Sequence, residues 1–112
     1  MLDKVVSKIV ALGVPGLVLL VAMAASGWAG GAAIVTALAI LGGPLGMLGG
    51  IAVLMVLALI SNALAKYGFE KVFAASVKRF EQKGMSREEI VRRVDRYPIS
   101  KDLKSKLRML LQ

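Results

Sequence analysis

Cysteine and histidine are both absent from this chain of 112 residues. Without them the chain cannot form disulfides, hold zinc through thiolates or imidazoles, or use an imidazole in acid–base catalysis. Aspartate, glutamate, lysine and arginine are also missing from the 57 residues between Ile9 and Ala65. A surface helix of a globular protein needs a polar face, so ordinary surface helices are not expected in that stretch.

The charge-free stretch is long enough for two membrane spans, because an apolar helix of about 20 residues crosses the hydrocarbon core. Apolar and polar residues do not alternate along it, which disfavours strands, and the backbone in lipid must satisfy its own hydrogen bonds. We therefore predict an all-α fold, a helical integral membrane protein with two transmembrane spans. A third apolar segment, 32–41, is too short to span alone, so it either continues the first span or forms a re-entrant or interfacial helix.

The pattern of charge and apolar residues divides the chain into three segments. Residues 1–13 are predicted to form an amphipathic N-terminal helix, with Val5, Val6, Ile9 and Val10 on one face. Residues 14–67 are predicted to be the transmembrane region, and its clearest span runs from Pro44 to about Lys66. Residues 68–112 are predicted to be a basic helical cytoplasmic module.

Helix start signals are clear in the third segment. Ser86 and Glu89 have the spacing of a capping box, in which a hydroxyl and a carboxylate three residues apart satisfy free backbone N–H groups. Ser100, with Asp102 in the following turn, predicts the start of a last helix. Pro98 is expected to end the helix between them.

Small and polar residues in the apolar region are candidates for contacts between helices. Glycines four residues apart let helix backbones approach closely in lipid, within one chain or between subunits. Polar side chains there would line a pore, bond to another helix or lie at the membrane boundary. The candidates are Gly27, Gly31, Gly42, Gly46 and Gly50 for packing or an oligomer interface, and Thr36, Ser61 and Asn62 for polar contacts.

Aromatic and basic residues mark the predicted membrane boundary and the tail. Trp28, Lys66 and Tyr67 are expected as interfacial anchors. The tail would contact anionic lipid headgroups or an acidic cytoplasmic partner, or would be a solvated face that obeys the positive-inside rule. Its interspersed acids and its lack of aromatic stacking platforms argue against nucleic acid. Its basic candidates are Arg79, Arg92, Arg93, Arg96, Lys104, Lys106 and Arg108.

This layout of short apolar helices followed by a charged tail resembles phage holins and small membrane effectors of antiphage defence. Gly27-Trp28, an apolar helix, Gly42-Gly43-Pro44-Leu45 and a second apolar helix also look like the glycine-punctuated helices of circular bacteriocins, although the charged tail departs from that pattern. The resemblance implies a homo-oligomeric pore in the bilayer that permeabilises or depolarises the bacterial inner membrane.

Two functions remain open at this point. One is an oligomeric pore or channel, and the other is a membrane-anchored adaptor whose basic helical tail recruits a cytoplasmic partner. Positive charge on both flanks predicts an inner-membrane location with both termini cytoplasmic. No catalytic, metal or cofactor-binding residues are identified, and the chain is not expected to be an enzyme.

Overall fold

The computed structural model describes residues 2–26, 43–97 and 99–112. Six helices lie in these ranges, and in the third of them the surroundings of the residues are described from Met55 onward. The helices are α1 (Leu2–Ala11), α2 (Val14–Ser26), α3 (Gly43–Tyr67), α4 (Phe69–Gln82), α5 (Arg87–Asp95) and α6 (Lys101–Leu111). The predicted all-helical character is confirmed for the described residues.

A tight corner joins α1 to α2. Gly13 has a φ of +79°, a conformation that residues with a side chain rarely adopt, and its N–H donates to the Val10 carbonyl at 2.9 Å. Pro15 then lies in the first turn of α2, where its missing N–H costs nothing. The helix predicted within residues 1–13 therefore ends before a separate helix begins.

Helix α2 is the centre of the core. It contacts all five other helices, and every residue from Leu17 to Met23 is at most 5% exposed. A helix that is apolar on all sides must be surrounded by apolar material, which here is protein. The surrounding side chains come from the buried faces of the amphipathic helices, including Val5, Ile9, Val72, Ile90 and Leu107.

The amphipathic face predicted for α1 is confirmed. Val5, Val6, Ile9 and Val10 are buried, while Lys4 and Lys8 on the opposite face are exposed. The buried face packs on α2, α3 and α4. Because this face is covered by protein, α1 is part of the same core as α2.

The long helix α3 joins this core through one face of its C-terminal half. Val56, Ile60, Ala63 and Leu64 are buried there, and α3 contacts α1, α2 and α4. The predicted helix from Pro44 to about Lys66 agrees with these bounds. Gly68, with a φ of +86°, ends α3 and directly precedes α4.

Among the residues whose surroundings the structure describes, no helix combines the length and the apolar character that crossing a membrane requires. This finding contradicts the predicted integral membrane protein with two transmembrane spans. It equally contradicts the predicted inner-membrane location with both termini cytoplasmic, and the description of the chain as a pore-forming membrane protein. Each of these predictions required spanning helices.

For the first predicted span, the length and surroundings of α2 explain the error. Its 13 residues extend only about 20 Å, whereas a bilayer core is about 30 Å thick. Apolar helices of this length are more often buried core helices than spans. Hydropathy gave no sign that α4, α5 and α6 would cover α2, because it measures a preference for apolar surroundings of any kind.

The two last helices form an antiparallel pair. Asp95, at the end of α5, contacts Arg108 and Lys104, whereas Arg87 at its start lies near the last residues of α6. Both helices begin as predicted. The Glu89 N–H donates to Ser86 Oγ at 3.2 Å, and the Leu103 N–H donates to Ser100 Oγ at 3.2 Å.

Candidate interaction surface of the C-terminal helices

For several predicted site residues, the structure does not describe the position or the surroundings. Gly27, Trp28, Gly31, Thr36 and Gly42 lie outside the described residues, as does the apolar segment 32–41. Gly46 and Gly50 lie in α3 before Met55, so their packing is not described. Their roles in packing or oligomer formation stay predictions.

The remaining candidates of the apolar region lie near the end of α3. Ser61 is half-buried and Asn62 is exposed. The Lys66 ammonium lies 5.5 Å from the centre of the Tyr67 ring, and the Lys71 ammonium lies 5.9 Å from it. These distances place two cations near one aromatic face, an arrangement that is weakly attractive. The structure therefore places the Lys66 ammonium beside the Tyr67 ring.

Arginines of the tail are mostly held in pairs. Glu89 accepts from Arg92 Nη2 at 2.5 Å and from Arg93 Nε at 3.3 Å, so one carboxylate holds two guanidinium groups. Arg108 Nη2 lies 2.6 Å from Asp95 Oδ1. Arg79 Nη1 donates to Ser7 Oγ at 3.3 Å and thereby links α4 to α1. The arginines thus fasten neighbouring turns and helices to one another.

Most exposed cations of the C-terminal helices that lack a carboxylate partner among the described residues are lysines. Within the described residues, no carboxylate oxygen lies within 4.0 Å of six exposed cations on or next to α4, α5 and α6. We call this set the basic surface. Its members are Lys71, Lys78, Lys83, Arg96, Lys101 and Lys106.

A groove with a volume of about 430 Å³ separates the start of α5 from the end of α6. Arg87 and Arg108 line it together with the apolar side chains of Val91 and Leu111. A second concavity of about 400 Å³ lies toward the start of α6. It is lined by Asp95, Lys101, Lys104 and Ser105, and it also shares Arg108. The two concavities therefore adjoin at one arginine.

Two ionisable groups of α5 and its C-terminal end have displaced pKa values. Hydrogen bonds from Arg93 and then Arg92, together with their positive charge, lower the pKa of Glu89 below its ordinary value. Partial burial raises the pKa of Tyr97, and the charge of Arg93 opposes this increase. Both displacements are structural in origin, because neither group lines either concavity.

The basic residues predicted in the tail make different contacts in the structure. Arg92 and Arg93 pair with Glu89, Arg96 belongs to the basic surface, and Lys104 Nζ donates to the Asp95 carbonyl at 2.9 Å. Lys106 lines a small concavity beside Phe69 and Leu110.

Sequence reasoning missed Arg87, Val91 and Leu111 as a group. Val91 and Leu111 lie in different helices, and nothing in their spacing showed that they would meet across a groove. A pairing signal exists within α5, where Glu89 lies three and four residues before its arginines. No such signal exists for Asp95 and Arg108, which lie in different helices.

The arginine, lysine and aliphatic side chains at this surface can bind a ligand by charge and apolar contact. In the described ranges, no group of three acidic, histidine or cysteine side chains is placed to hold a metal ion. Searches against protein-family models, curated proteins and solved structures found no match to this chain.

Proposed function

We propose that this chain is a non-enzymatic binding module that recruits an acidic protein partner through the basic surface of its C-terminal helices. The proposal keeps the recruiting role predicted for the basic tail. It does not keep the membrane anchor, because the described residues contain no helix able to span a bilayer. A pore needs such helices too, so the pore prediction has no support from the fold.

The distribution of charge carries the proposal. Residues 69–112 contain twelve lysines and arginines but six acidic residues. Three of those acidic residues, Glu81, Glu89 and Asp95, are paired with arginines of the same chain. Within the described ranges, no carboxylate neutralises the basic surface, so its field attracts a surface of opposite charge.

Burial of the amphipathic faces favours a protein partner over a lipid surface. A helix that binds a membrane surface leaves an apolar face free to enter the headgroup region. The apolar faces of α1, α4, α5 and α6 are instead buried in the core. Among the described residues, only Met55 and Met109 are large apolar side chains with high exposure.

The low exposure of the described aromatic side chains disfavours single-stranded nucleic acid as the ligand. Binding of that kind uses aromatic rings on which bases stack. Among the aromatic residues that the structure describes, Phe73 and Phe80 are buried, while Tyr67, Phe69 and Tyr97 are only partly accessible. An acidic protein surface needs no stacking platform.

The test measures binding of full-length protein to poly-L-glutamate at increasing salt concentrations. The double variant Lys71→Glu/Lys78→Glu reverses two charges of the basic surface. The matched control, Lys4→Glu/Lys8→Glu, makes the same change in net charge on exposed positions of α1. We expect the first variant to bind about tenfold more weakly, a loss of about 1.4 kcal/mol, and the control to lose less than about half that free energy.

Salt dependence and lipid binding complete the experiment. Binding should weaken as salt rises, because the Debye length falls from about 10 Å at 0.1 M to about 3 Å at 1 M. Equal losses in both double variants would mean that net charge alone attracts the polymer. Co-sedimentation with phosphatidylglycerol vesicles, without binding to polyglutamate, would replace the protein partner by a lipid surface.

A further inference from the structure

The groove between α5 and α6 combines an apolar floor with basic walls. Leu111 is 3% exposed at its base, and Val91 is half-buried, so part of its surface is free to be covered. Arg87 and Arg108 stand at the walls with about half of each side chain exposed. Glu88 is the acidic residue that lines it. Such a groove suits a ligand that carries both an apolar side chain and carboxylates.

Both wall arginines are positioned by carboxylates outside the groove. Arg87 Nε lies 4.0 Å from Glu81 Oε2, and Arg108 Nη2 lies 2.6 Å from Asp95 Oδ1. A guanidinium group has five N–H donors, so each arginine keeps donors for a second carboxylate. The hydrogen bond to Asp95 holds the Arg108 side chain in place, which lowers the entropy that a ligand would have to remove on binding.

Positive charge continues from the groove along one face of α6. Lys101, Lys104 and Arg108 follow at intervals of three and four residues, which places them on the same side of the helix. Together with Asp95 and Ser105, they line the concavity that adjoins the groove at Arg108, so three cations there face one carboxylate. From Lys101 to Arg108 this row extends for about 10 Å, or about two helical turns. A ligand with carboxylates one turn apart would match it.

We propose that this groove is the docking site of an acidic amphipathic helix of the partner, with an aliphatic side chain over Val91 and Leu111 and carboxylates facing Arg87, Arg108 and the lysine row. The inference rests on the proposed function, since it assumes that the partner is acidic. Recognition of this kind places the apolar face of a helix in a groove and anchors it with a few side chains.

Charge and shape favour an acidic partner helix in the groove over a second copy of the chain or a lipid bilayer. A second copy of the chain carries a net charge of +8 and would bring like charge to the arginines. A flat bilayer surface does not reach a floor that lies between two helices. A partner helix is convex, so its side chains can enter the groove while its flanks meet the arginines.

The test uses full-length protein and two synthetic peptides. The first peptide is rich in glutamate and carries leucines at positions i, i+3, i+4 and i+7 of a helix. The second has the same composition, with the leucines dispersed around the helix. We expect the patterned peptide to bind about tenfold more tightly, as measured by fluorescence anisotropy.

Substitutions inside and outside the groove test whether the patterned peptide binds there. Val91→Glu adds a carboxylate to the groove floor and should weaken binding of the patterned peptide about tenfold. Met109→Glu adds the same charge at a position of α6 that is 71% exposed and does not line the groove, and should change binding less than twofold. If Val91→Glu does not fold, Arg87→Gln provides the same information with Arg92→Gln as its control. Arg87→Gln should weaken binding about fivefold.

The outcomes separate this inference from the proposed function. Equal binding of both peptides, with polyglutamate still bound through Lys71 and Lys78, would overturn the groove and leave the proposed function standing. Loss of binding to polyglutamate and to both peptides would overturn both. Binding to phosphatidylglycerol vesicles that Val91→Glu abolishes, without preference between the peptides, would make a lipid surface the occupant and also overturn the inference.

Discussion

Arg108 Nη2 donates to Asp95 Oδ1 at 2.6 Å and so joins the end of α5 to the last turn of α6. The Asp95 backbone carbonyl accepts a second hydrogen bond from Lys104 Nζ at 2.9 Å. One residue of α5 therefore holds two cations of α6, and Arg108 is shared by the two concavities of this surface. The same contact fixes the helix pair and orients a residue of the proposed docking site.

We expect the pair to contribute modestly to stability because about half of each side chain is exposed. A double-mutant cycle with Asp95→Asn and Arg108→Gln should give a coupling energy of about 0.2–1 kcal/mol in urea unfolding. The coupling should decrease at high salt. Arg96→Gln serves as a control, since Arg96 is exposed and has no carboxylate partner among the described residues. A coupling energy of zero would mean that the contact does not persist in solution.

Leu20→Ala should be strongly destabilising. Leu20 is fully buried at the centre of α2, so its truncation removes apolar contacts and leaves a cavity. The expected loss in the free energy of unfolding is about 2–5 kcal/mol. Met109→Ala, at a position that is 71% exposed, should change it by less than about 0.5 kcal/mol. Similar small effects in both variants would contradict the central position of α2 in a protein core.

Gly16 and Gly84 should respond oppositely to the size of the residue that replaces them. A Cβ on Gly16 would overlap the Ile9 carbonyl oxygen and lie 3.2 Å from Leu12 Cβ, so α1 and α2 would have to separate. Gly16→Ala should therefore cost about 1–3 kcal/mol or more, and Gly16→Asn should cost more still.

At Gly84, a Cβ meets nothing within 4 Å, but φ is +92°. Gly84→Ala should cost about 1–2 kcal/mol through backbone strain. Gly84→Asn should cost less, because asparagine tolerates positive φ better than alanine does. Thermal unfolding of the four variants measures whether alanine or asparagine causes the larger loss of stability at each glycine. A smaller loss for asparagine than for alanine at Gly16 would show that α1 and α2 are not in close contact there.

The pKa of Glu89 should be below the value of a free glutamate, because Arg93 and Arg92 stabilise its charged form. A carboxyl group whose pKa is lowered on folding stabilises the fold above its unfolded pKa. That contribution disappears as the pH falls through the lowered value. Titration of the Glu89 carboxyl, followed by nuclear magnetic resonance, should show a pKa below that of a free glutamate. Either Arg92→Gln or Arg93→Gln should raise the pKa, whereas Lys101→Gln should leave it unchanged.

Local structure follows from residues that are close in sequence. Ser86 and Ser100 begin helices because each hydroxyl accepts a backbone N–H three residues later, within one turn. The buried face of α1 follows from the helical spacing of its valines and Ile9. Gly13 allows the turn before α2 through a positive φ. These features depend on local geometry, so the sequence was sufficient to predict them.

Tertiary structure decided what surrounds the apolar residues and which charges remain free. The apolar surface of α2 can be satisfied by lipid or by protein, and only the packing of α4, α5 and α6 against it distinguishes the two. Arg79 meets Ser7 across 72 positions of the chain, and Arg108 meets Asp95 across 13. The sequence determined where helices begin and which faces are apolar, because those properties are local. Only the folded chain determined the groove between α5 and α6, because it depends on how two separate helices approach each other.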